Sequence, residues 1–463
     1  MNRKVFLTGR PRYANSGSGP SFAVLDIGLP NRVAVVEPDS AYWAVVDTAS
    51  LPDALSGRLL QDFLAQGEAF EAEMQRLRFG LKPSAVYFNP TERCNFNCTY
   101  CYLPEDMRRN GTTMTPEEVA KALKRLAAYF ERTLEPEATP QLIFHGSEPM
   151  LAREAVFSAI DRFRGKFLFG IQTNATLLDD EAIDFLTSRG VGIGISLDAH
   201  EAGVADKVRK NWHGQGAFIR VRRVMERLAF YPAFNVITTV TRENVALLPE
   251  LVDFYHDAGV GVVMFNPVRC TRKGGMDLKP DDAVLAEAFC AALDRTYALF
   301  EKTARKLVVA NFANVLAGVV GPTGRRLMCD ISPCGGGRCF FAVSAQGDLF
   351  PCSEFIGFAE YRGGNLFRDD IAGVLESHPF QAVTRRMVES IEPCRRCAVR
   401  HFCGAPCPAE VQAVSGHLEA PSPYCRFYEE QVRYAFRVVA QGREAAYLWN
   451  GWESETEETY RYA

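Results

Sequence analysis

The chain has 463 residues, and its 52 basic and 56 acidic side chains give a net charge of −4. This length exceeds what one hydrophobic core usually organises, so two or three domains are expected. The charge balance excludes a global basic field for nucleic acid, and no apolar run reaches the roughly 20 residues of a membrane-spanning helix. Fourteen cysteines without an apolar export segment favour reduced thiols and metal sites, so we expect a cytoplasmic protein.

Residues 1–82 are predicted to form an N-terminal unit. The first 20 residues are rich in Gly, Ser and Pro, which predicts an irregular arm. Two strand-like runs, Val33–Val36 and Ala41–Val46, then precede two amphipathic helix patterns, Ser56–Ala65 and Ala69–Phe79. The expected result is a small α+β unit.

Residues 83–310 alternate short apolar runs with helix patterns, one of which starts at the capping box formed by Thr115 and Glu118. The predicted strands are Ala85–Asn89, Gln141–His145, Phe167–Gln172, Val191–Leu197, Phe234–Val240 and Val260–Asn266. Repeated strand-plus-helix units predict a parallel α/β fold with its chemistry at the carboxyl ends of the strands. Because there are six units and not eight, we expect a partial (β/α)6 barrel.

The loop after the first predicted strand carries Cys94, Cys98 and Cys101 at C-x3-C-x2-C spacing. Three thiolates on one short loop can ligate three irons of a cubane cluster, which leaves the fourth iron open to a small molecule. A structural zinc site is the alternative, but zinc normally takes four protein ligands and no fourth cysteine or histidine lies nearby in the sequence. The spacing therefore favours an iron–sulfur cluster with an open iron.

This motif, with Tyr100 before its last cysteine, resembles the signature of radical S-adenosylmethionine (SAM) enzymes. The resemblance implies a radical SAM barrel in which a [4Fe–4S] cluster binds the amino and carboxylate groups of SAM. An electron from the reduced cluster, delivered by a flavodoxin or ferredoxin, then cleaves SAM and yields a 5′-deoxyadenosyl radical. By this resemblance Cys94, Cys98 and Cys101 are the catalytic metal ligands.

Polar residues at the predicted strand ends are candidates for the SAM pocket. The run Gly146-Ser147-Glu148-Pro149 resembles the family's Gly-Gly-Glu-Pro motif, which meets the methionine amino group. Ser147 replaces the second glycine, a change that an extended backbone tolerates. The cofactor-binding residues that the resemblance implies are Tyr100, Gly146, Ser147, Glu148, Pro149, Asn174, Ser196, Asp198 and Arg209. Asn266-Pro267 is a further candidate. A helix-cap or surface role is the alternative for the strand-end residues and Arg209, and simple packing is the alternative for Tyr100.

The region from Cys329 to Cys425, within a predicted domain at 311–463, has little periodicity, many turns and nine cysteines. We expect bound metal, more than a hydrophobic core, to order it. A last helix pattern spans Pro423 to about Leu448. The acidic tail that follows, with Glu453, Glu455, Glu457 and Glu458, is expected to fray.

The cysteine spacing of this region resembles the SPASM domain, which carries two auxiliary [4Fe–4S] clusters and would bring the total to three. The resemblance assigns Cys334, Cys339, Cys352 and Cys407 to auxiliary cluster I. It assigns Cys394, Cys397, Cys403 and Cys425 to auxiliary cluster II. Cys329 is a surplus thiol that could replace Cys339. A pair of zinc sites is the alternative.

SPASM-bearing radical SAM enzymes act on peptides or proteins, so the resemblance implies a maturase of a ribosomally made precursor peptide or small protein. The favoured product is a thioether between a cysteine sulfur and a carbon of another residue, as in the thioether-forming peptide maturases and the quinohemoprotein amine dehydrogenase maturase. The alternatives are carbon–carbon cross-linking, chemistry on a small molecule, and formylglycine formation by an anaerobic sulfatase maturase. That last subgroup has Pro-Cys-Asp where this chain has Pro351-Cys352-Ser353-Glu354, although Glu354 could substitute for the aspartate.

The strands and helices of the N-terminal unit resemble the winged-helix element that captures leader peptides by strand addition. The alternative is a plain cap over the mouth of the barrel. A non-catalytic, zinc-rich adaptor is the remaining rival for the whole chain.

Overall fold

The computed structural model of the protein describes residues 22–321 and 324–452. The predicted N-terminal arm and the acidic tail from Glu453 lie outside the described residues. The described residues form a three-stranded sheet and a ten-stranded sheet. None of the described helices combines the length and apolar character that crossing a bilayer requires.

The small sheet contains β1 (Ala23–Leu29), β2 (Arg32–Glu37) and β3 (Tyr42–Asp47). The large sheet contains β4 (Ala85–Phe88), β5 (Gln141–Phe144), β6 (Leu168–Thr173), β7 (Gly192–Ser196), β8 (Phe234–Val240), β9 (Val262–Pro267), β10 (Val308–Val309), β11 (Phe340–Val343), β12 (Asp348–Phe350) and β13 (Gly364–Asn365).

The helices of the first two thirds of the chain are α1 (Leu51–Ser56), α2 (Arg58–Gln75), α3 (Glu105–Asn110), α4 (Pro116–Thr133), α5 (Arg153–Arg162), α6 (Asp180–Ser188), α7 (Ala202–Val208), α8 (Phe218–Arg227), α9 (Leu248–Asp257), α10 (Lys273–Asp277), α11 (Asp282–Thr303) and α12 (Ala310–Val320). The C-terminal region adds α13 (Ile371–Leu375), α14 (His378–Thr384), α15 (Arg400–Cys403), α16 (Pro408–Ser415), α17 (Cys425–Gln441) and α18 (Glu444–Tyr447).

The small sheet is covered on both faces. On one face Tyr42 packs edge-on against Phe63 of α2, with ring centroids 5.3 Å apart. On the other face Trp43 contacts Phe436 of α17, and its indole N–H donates to the carbonyl of Val319 at 2.8 Å. The N-terminal unit is therefore built into the rest of the molecule.

The six predicted barrel strands are confirmed as β4 to β9, which lie side by side in chain order. All five pairings between them are parallel. The predicted capping box is also confirmed, since Thr115 accepts from the Glu118 amide at 3.2 Å and Glu118 accepts from the Thr115 amide at 2.8 Å. The carboxyl ends of the strands therefore share one rim, as a partial barrel requires.

The C-terminal region extends this sheet. Strand β11 pairs in parallel with the outer edge of β4, and β12 and β13 follow as antiparallel strands. Phe340, Phe341 and Phe355 are almost completely buried there. The expectation of a region with little hydrophobic core is wrong, because strands of two to four residues are too short to give a periodic signal.

Candidate active site

The loop from Cys94 to Cys101 is held in place by the segment that follows α7. The amide of Asn97 donates to the carbonyl of Lys210 at 2.7 Å, and the amide of Thr99 donates to that of Val208 at 3.0 Å. The Trp212 indole donates to the carbonyl of Cys94 at 2.7 Å. Because both ends of the loop are tied to one segment, its three cysteines have fixed positions at the rim.

The three cysteines line a cavity of about 230 Å³ at the carboxyl ends of the strands. The predicted SAM-binding residues that also line it are Tyr100, Gly146, Ser147, Asn174, Ser196 and Arg209. Glu148, Pro149 and Asp198 are not among its lining residues. The structure therefore brings most of the predicted residues together, with these three behind the cavity wall.

Glu148 is fully buried and supports the backbone beneath the cavity. Its carboxylate accepts hydrogen bonds from the Thr173 hydroxyl at 2.7 Å, the Asn174 amide at 2.8 Å and the Met150 amide at 3.1 Å. Burial raises the pKa of this carboxyl, and the three donors oppose that rise. Glu148 therefore joins the ends of two neighbouring strands.

Gly146 is required by the backbone at this turn. Its φ is +99°, and a Cβ atom there would lie 2.2 Å from the amide nitrogen of the Asn89 side chain. Ser147, in contrast, is not among the described residues with a positive φ, and its hydroxyl donates to the carbonyl of Glu92 at 2.5 Å. The replacement of the second glycine by Ser147 therefore strains nothing.

Tyr100, Asp198 and Arg209 form a hydrogen-bonded group in one wall of the cavity. Arg209 donates to the Tyr100 hydroxyl at 2.5 Å and lies 3.6 Å from the Asp198 carboxylate. The Tyr100 hydroxyl donates to Asp198, which also accepts from the Thr239 amide at 2.9 Å. Burial raises the pKa of Tyr100 well above its ordinary value, so the hydroxyl keeps its proton. Asp198 therefore acts as the support for Arg209.

A second cavity, of about 220 Å³, lies between the barrel and the C-terminal region. The residues that line both cavities are His145, Gln172, Ile237, Asn266, Pro267, Arg269 and Glu354. The two cavities therefore share a wall, across which the loop cysteines face the C-terminal cysteines.

Three polar atoms at this shared wall have no hydrogen-bond partner among the described residues: Nδ1 of His145, Nη1 of Arg269 and Oε2 of Glu354. Burial lowers the pKa of His145 to about 4, so the ring is neutral near pH 7. Arg269 and Glu354 lie 3.7 Å apart, beyond hydrogen-bond distance. These groups can donate to or accept from a polar molecule bound between the cavities.

One group of C-terminal cysteines, termed group I, lines the second cavity. Its members are Cys329, Cys334, Cys352 and Cys407. Cys339 is not among the lining residues and is buried in the hydrophobic core. Cys329 is exposed where it lines this cavity; desolvation by the surrounding protein raises its pKa well above the ordinary value, and the thiols of Cys334 and Cys407 add to that rise. The sequence left open whether Cys329 or Cys339 belongs with the other three cysteines of this group. In the structure Cys329 lines the cavity with them and Cys339 does not.

A second group, termed group II, consists of Cys394, Cys397, Cys403 and Cys425. Burial raises the pKa of Cys403 well above its ordinary value, and the other three thiols of the group add to the rise. Such mutual effects require the four thiols to lie close together. The structure therefore brings together the four cysteines assigned from the sequence to auxiliary cluster II.

Buried arginines test whether these cysteines fit anionic clusters. Within residues 22–321 and 324–452 seven arginines are buried, and four of them have a carboxylate within ion-pair distance: Arg78, Arg325, Arg400 and Arg433. Among the described residues no carboxylate pairs with the other three, Arg108, Arg338 and Arg386. Each of these three lies beside cysteines of one or more groups. Because a buried charge needs a counter-charge, thiolate-ligated clusters fit these positions.

In the described part of the chain, no group of three or more His, Cys, Asp or Glu side chains is arranged to hold one ion. Ligands of a four-iron cluster lie farther apart than ligands of one zinc ion, because each binds a different iron. Burial raises the pKa of Cys98 to about 11, so a thiolate there requires a neighbouring positive charge such as iron.

Several residues of the site were missed from the sequence, among them Thr239, Arg269 and Trp212. Thr239 and Arg269 line the cavity, and Trp212 ties down the cysteine loop. Thr239 is the polar residue before the end of a predicted strand and could have been found by the rule used for Ser196. Arg269 and Trp212 lie in irregular segments, where no local pattern marks them.

Comparison with known proteins agrees with this geometry. Residues 88–255 match the sequence model of the Radical SAM superfamily, and residues 334–398 match that of the SPASM iron–sulfur cluster-binding domain. An uncharacterized protein of Archaeoglobus fulgidus is 41% identical over 88% of this chain and 92% of its own length. A cysteine-type anaerobic sulfatase-maturating enzyme of Clostridium perfringens is 22% identical over 77% of this chain and 97% of its own length. The PqqA peptide cyclase of Bradyrhizobium diazoefficiens is 25% identical over 75% and 87% of the two chains.

Two solved structures share the fold. AdoMet-bound anSMEcpe superposes with a TM-score of 0.69 and 21% identity, over 80% of this chain and 97% of that one. Streptococcus suis SuiB bound to the precursor peptide SuiA superposes with a TM-score of 0.58 and 13% identity, over 85% and 96% of the two chains. The overall fold is therefore not particular to this chain.

Proposed function

Since this chain belongs to the radical SAM enzymes that carry a SPASM domain, we propose that it is a maturase that modifies a ribosomally made peptide or small protein. The observation that carries the proposal is the shared wall between the two cavities. The loop cysteines line one cavity, the group I cysteines line the other, and the space of the two cavities meets at the residues that line both. A substrate in that space would touch both sites at once.

The three cysteine groups would hold three [4Fe–4S] clusters. Cys94, Cys98 and Cys101 would ligate the SAM-binding cluster, and group II would ligate auxiliary cluster II. Group I would ligate auxiliary cluster I with Cys329 in place of Cys339, because Cys329 faces the cavity and Cys339 packs in the core. A flavodoxin or ferredoxin would supply the electrons.

When bound, the reduced cluster and SAM supply a 5′-deoxyadenosyl radical that removes hydrogen from the substrate. The protein would orient SAM through Arg209, whose guanidinium Tyr100 and Asp198 hold in the cavity wall. The Gly146–Ser147 turn and Ser196 supply polar groups at the neighbouring strand ends. Asn174 would position the cysteine loop, since its side-chain amide nitrogen donates to the side-chain oxygen of Asn95 at 2.8 Å.

The substrate would lie against the shared wall. A peptide unit carries one acceptor and one donor, which match Arg269 Nη1 and Glu354 Oε2. Neither atom has a hydrogen-bond partner among the described residues, although Arg269 Nη1 lies 3.7 Å from the Glu410 carboxylate. The second cavity also has aromatic walls at Tyr87, Phe340 and Phe427, which suit an apolar side chain and exclude water from a reactive carbon. A peptide bound at the shared wall would thus be held by polar groups at its backbone.

The main candidate products within this proposal are a thioether and a formylglycine. A thioether requires a substrate cysteine sulfur to bond to a carbon that has lost hydrogen, so the peptide loses two hydrogens in all. Formylglycine formation, the reaction of the sulfatase maturases, converts a cysteine or serine side chain to an aldehyde. Glu354 does not distinguish the two products, because a hydrogen-bond acceptor at the shared wall is compatible with either reaction. Carbon–carbon cross-linking and a small-molecule substrate are further alternatives.

The N-terminal unit would recognise the leader of the peptide by strand addition. The outer edge of β1 is closed, because Arg433 donates to the carbonyl of Asp26 at 3.0 Å and Arg437 to that of Ile27 at 2.7 Å. No described residue pairs with the outer edge of β3. Since both faces of the sheet are covered, the β3 edge is the part of this unit that fits an extended peptide.

Anaerobic SAM cleavage tests the core of the proposal. The reconstituted wild-type protein, given dithionite and SAM, should release 5′-deoxyadenosine, whereas the C94A/C98A/C101A variant should release none and keep its auxiliary iron. Unchanged cleavage by the variant would refute the assignment. With a precursor peptide present, mass spectrometry should find loss of two hydrogens with the sulfur retained for a thioether. Formylglycine formed from cysteine should show loss of two hydrogens together with replacement of the sulfur by oxygen.

A further inference from the structure

Arg386 lies between the two C-terminal cysteine groups. It follows α14 and is 5% exposed. Its guanidinium donates to three backbone carbonyls, those of Leu418 at 2.6 Å, Ala405 at 3.0 Å and Ala420 at 3.0 Å. Ala405 is the midpoint of the segment Cys403–Cys407, which begins in group II and ends in group I.

The backbone of Arg386 is tied to group I as well. Its carbonyl accepts from the hydroxyl of Ser332 at 3.3 Å, and Ser332 lies two residues before Cys334. The amide of Val388 donates to the same hydroxyl at 2.7 Å. Arg386 is therefore fixed by hydrogen bonds to chain segments that carry cysteines of both groups.

The positive charge of Arg386 has no carboxylate partner among the described residues. The carbonyls that it contacts satisfy its hydrogen bonds but carry no net charge. Arg386 is instead hydrogen-bonded beside cysteines of both groups, since Ala405 lies between Cys403 and Cys407 and Ser332 lies two residues before Cys334. A buried, unpaired guanidinium is costly unless an anion lies nearby, so its counter-charge is the thiolate-ligated metal of both groups.

We propose that Arg386 raises the reduction potentials of both auxiliary clusters together. The proposal rests on the proposed function, because it takes groups I and II as the ligands of four-iron clusters. Each cluster gains one electron on reduction, and a fixed positive charge nearby stabilises the reduced, more negative form. Arginine stays protonated at all accessible pH values, so this contribution does not vary with pH. One residue between two clusters moves both potentials in the same direction.

The test is an anaerobic redox titration followed by electron paramagnetic resonance (EPR). The C94A/C98A/C101A variant serves as the parent, so that both signals come from auxiliary clusters. Three further substitutions are made in it: R386Q removes the charge, R386K keeps it, and R385Q changes an exposed neighbour as a control. Iron content is measured for each protein. A parent without iron–sulfur signals would refute the proposed auxiliary clusters themselves.

In R386Q we expect reduction of both clusters to become at least tenfold less favourable, which is a shift of about 59 mV to lower potential for each one-electron couple. The reduction potentials of both clusters in R386K and R385Q should stay near those of the parent. A fully loaded R386Q with unchanged potentials, or a shift of only one cluster, would overturn the proposal. If R386Q loses iron while R386K keeps its iron and the potentials of the parent, the result would support a need for the positive charge at this position. Iron lost from both variants would assign Arg386 to the fold and overturn it.

Discussion

At the scale of single residues, the cavity wall depends on side chains that hold one another. Arg209 is the cation of this wall, and its direction is set by Tyr100 and Asp198. Asp198 in turn is held by the Thr239 amide. A group fixed in this way meets a ligand without losing further side-chain freedom on binding.

Replacing Arg209 by Gln should therefore weaken SAM binding. Loss of a charge-assisted hydrogen bond costs about 2 kcal/mol, or roughly 30-fold in Kd. Equilibrium binding of SAM to the reconstituted protein measures the effect, and iron content should not change. R220Q, at an exposed position on α8, is the matched control. Equal affinity of R209Q and wild type would remove Arg209 from the SAM site.

The choice between Cys329 and Cys339 is also decided by single residues. We expect C329A to lower the iron content by about one four-iron cluster, because this thiol faces the group I cavity. C339A should keep its iron, because Cys339 is packed in the core. Iron analysis and the visible absorption spectrum report both. Iron loss in C339A alone would restore the ligand set that the sequence first suggested.

At the scale of elements, regular patterns were predictable and short ones were not. Strands β4 to β9 were predicted because each is a run of apolar residues with a helix pattern on either side. Strand β1 was missed although buried Leu25 and Ile27 alternate with exposed Asp26 and Gly28, because aspartate and glycine are uncommon in strands. The two predicted N-terminal helices are also different in the structure, where α2 continues through Gly67 as one helix of 18 residues.

The same distinction holds for the site. Cysteines at fixed spacing and polar residues at strand ends are local features, so the sequence alone identified them. The inward direction of Glu148 and the contacts of Arg269 and Trp212 depend on how distant segments pack. Such contacts have no signature within a short stretch of sequence.

The open edge of β3 gives a prediction for the N-terminal unit. A precursor peptide that adds a strand there should slow amide hydrogen exchange in Tyr42–Asp47, since new backbone hydrogen bonds protect the amides. Exchange in Ala23–Leu29 should stay the same, because α17 already closes that edge. Hydrogen-exchange mass spectrometry with and without peptide compares the two strands. Protection of neither strand would leave the unit as a cap on the barrel.

At the scale of the whole molecule, one sheet links the two cofactor regions. Strand β11 continues the barrel sheet beyond β4, and the loop cysteines follow β4 directly. Helix α17 starts at Cys425 and packs against α11, α12 and β1. The distance between the cysteine groups is therefore set by regular secondary structure and not by a flexible linker.

This arrangement predicts a fixed iron content. Three four-iron clusters correspond to about twelve irons per chain after anaerobic reconstitution. The C94A/C98A/C101A variant should retain about eight, since the cysteines of its auxiliary groups lie in other segments of the chain. Iron and sulfide analysis against protein concentration gives the number. About four irons in the wild type would eliminate the auxiliary clusters.

The central claim is that the cluster of the first cysteine loop binds SAM at an iron without a protein ligand. The most direct measurement is the EPR spectrum of the dithionite-reduced protein before and after SAM is added. We expect SAM to change the signal of the wild-type protein and to leave that of the C94A/C98A/C101A variant as it was. A wild-type spectrum that is the same with and without SAM would contradict the claim.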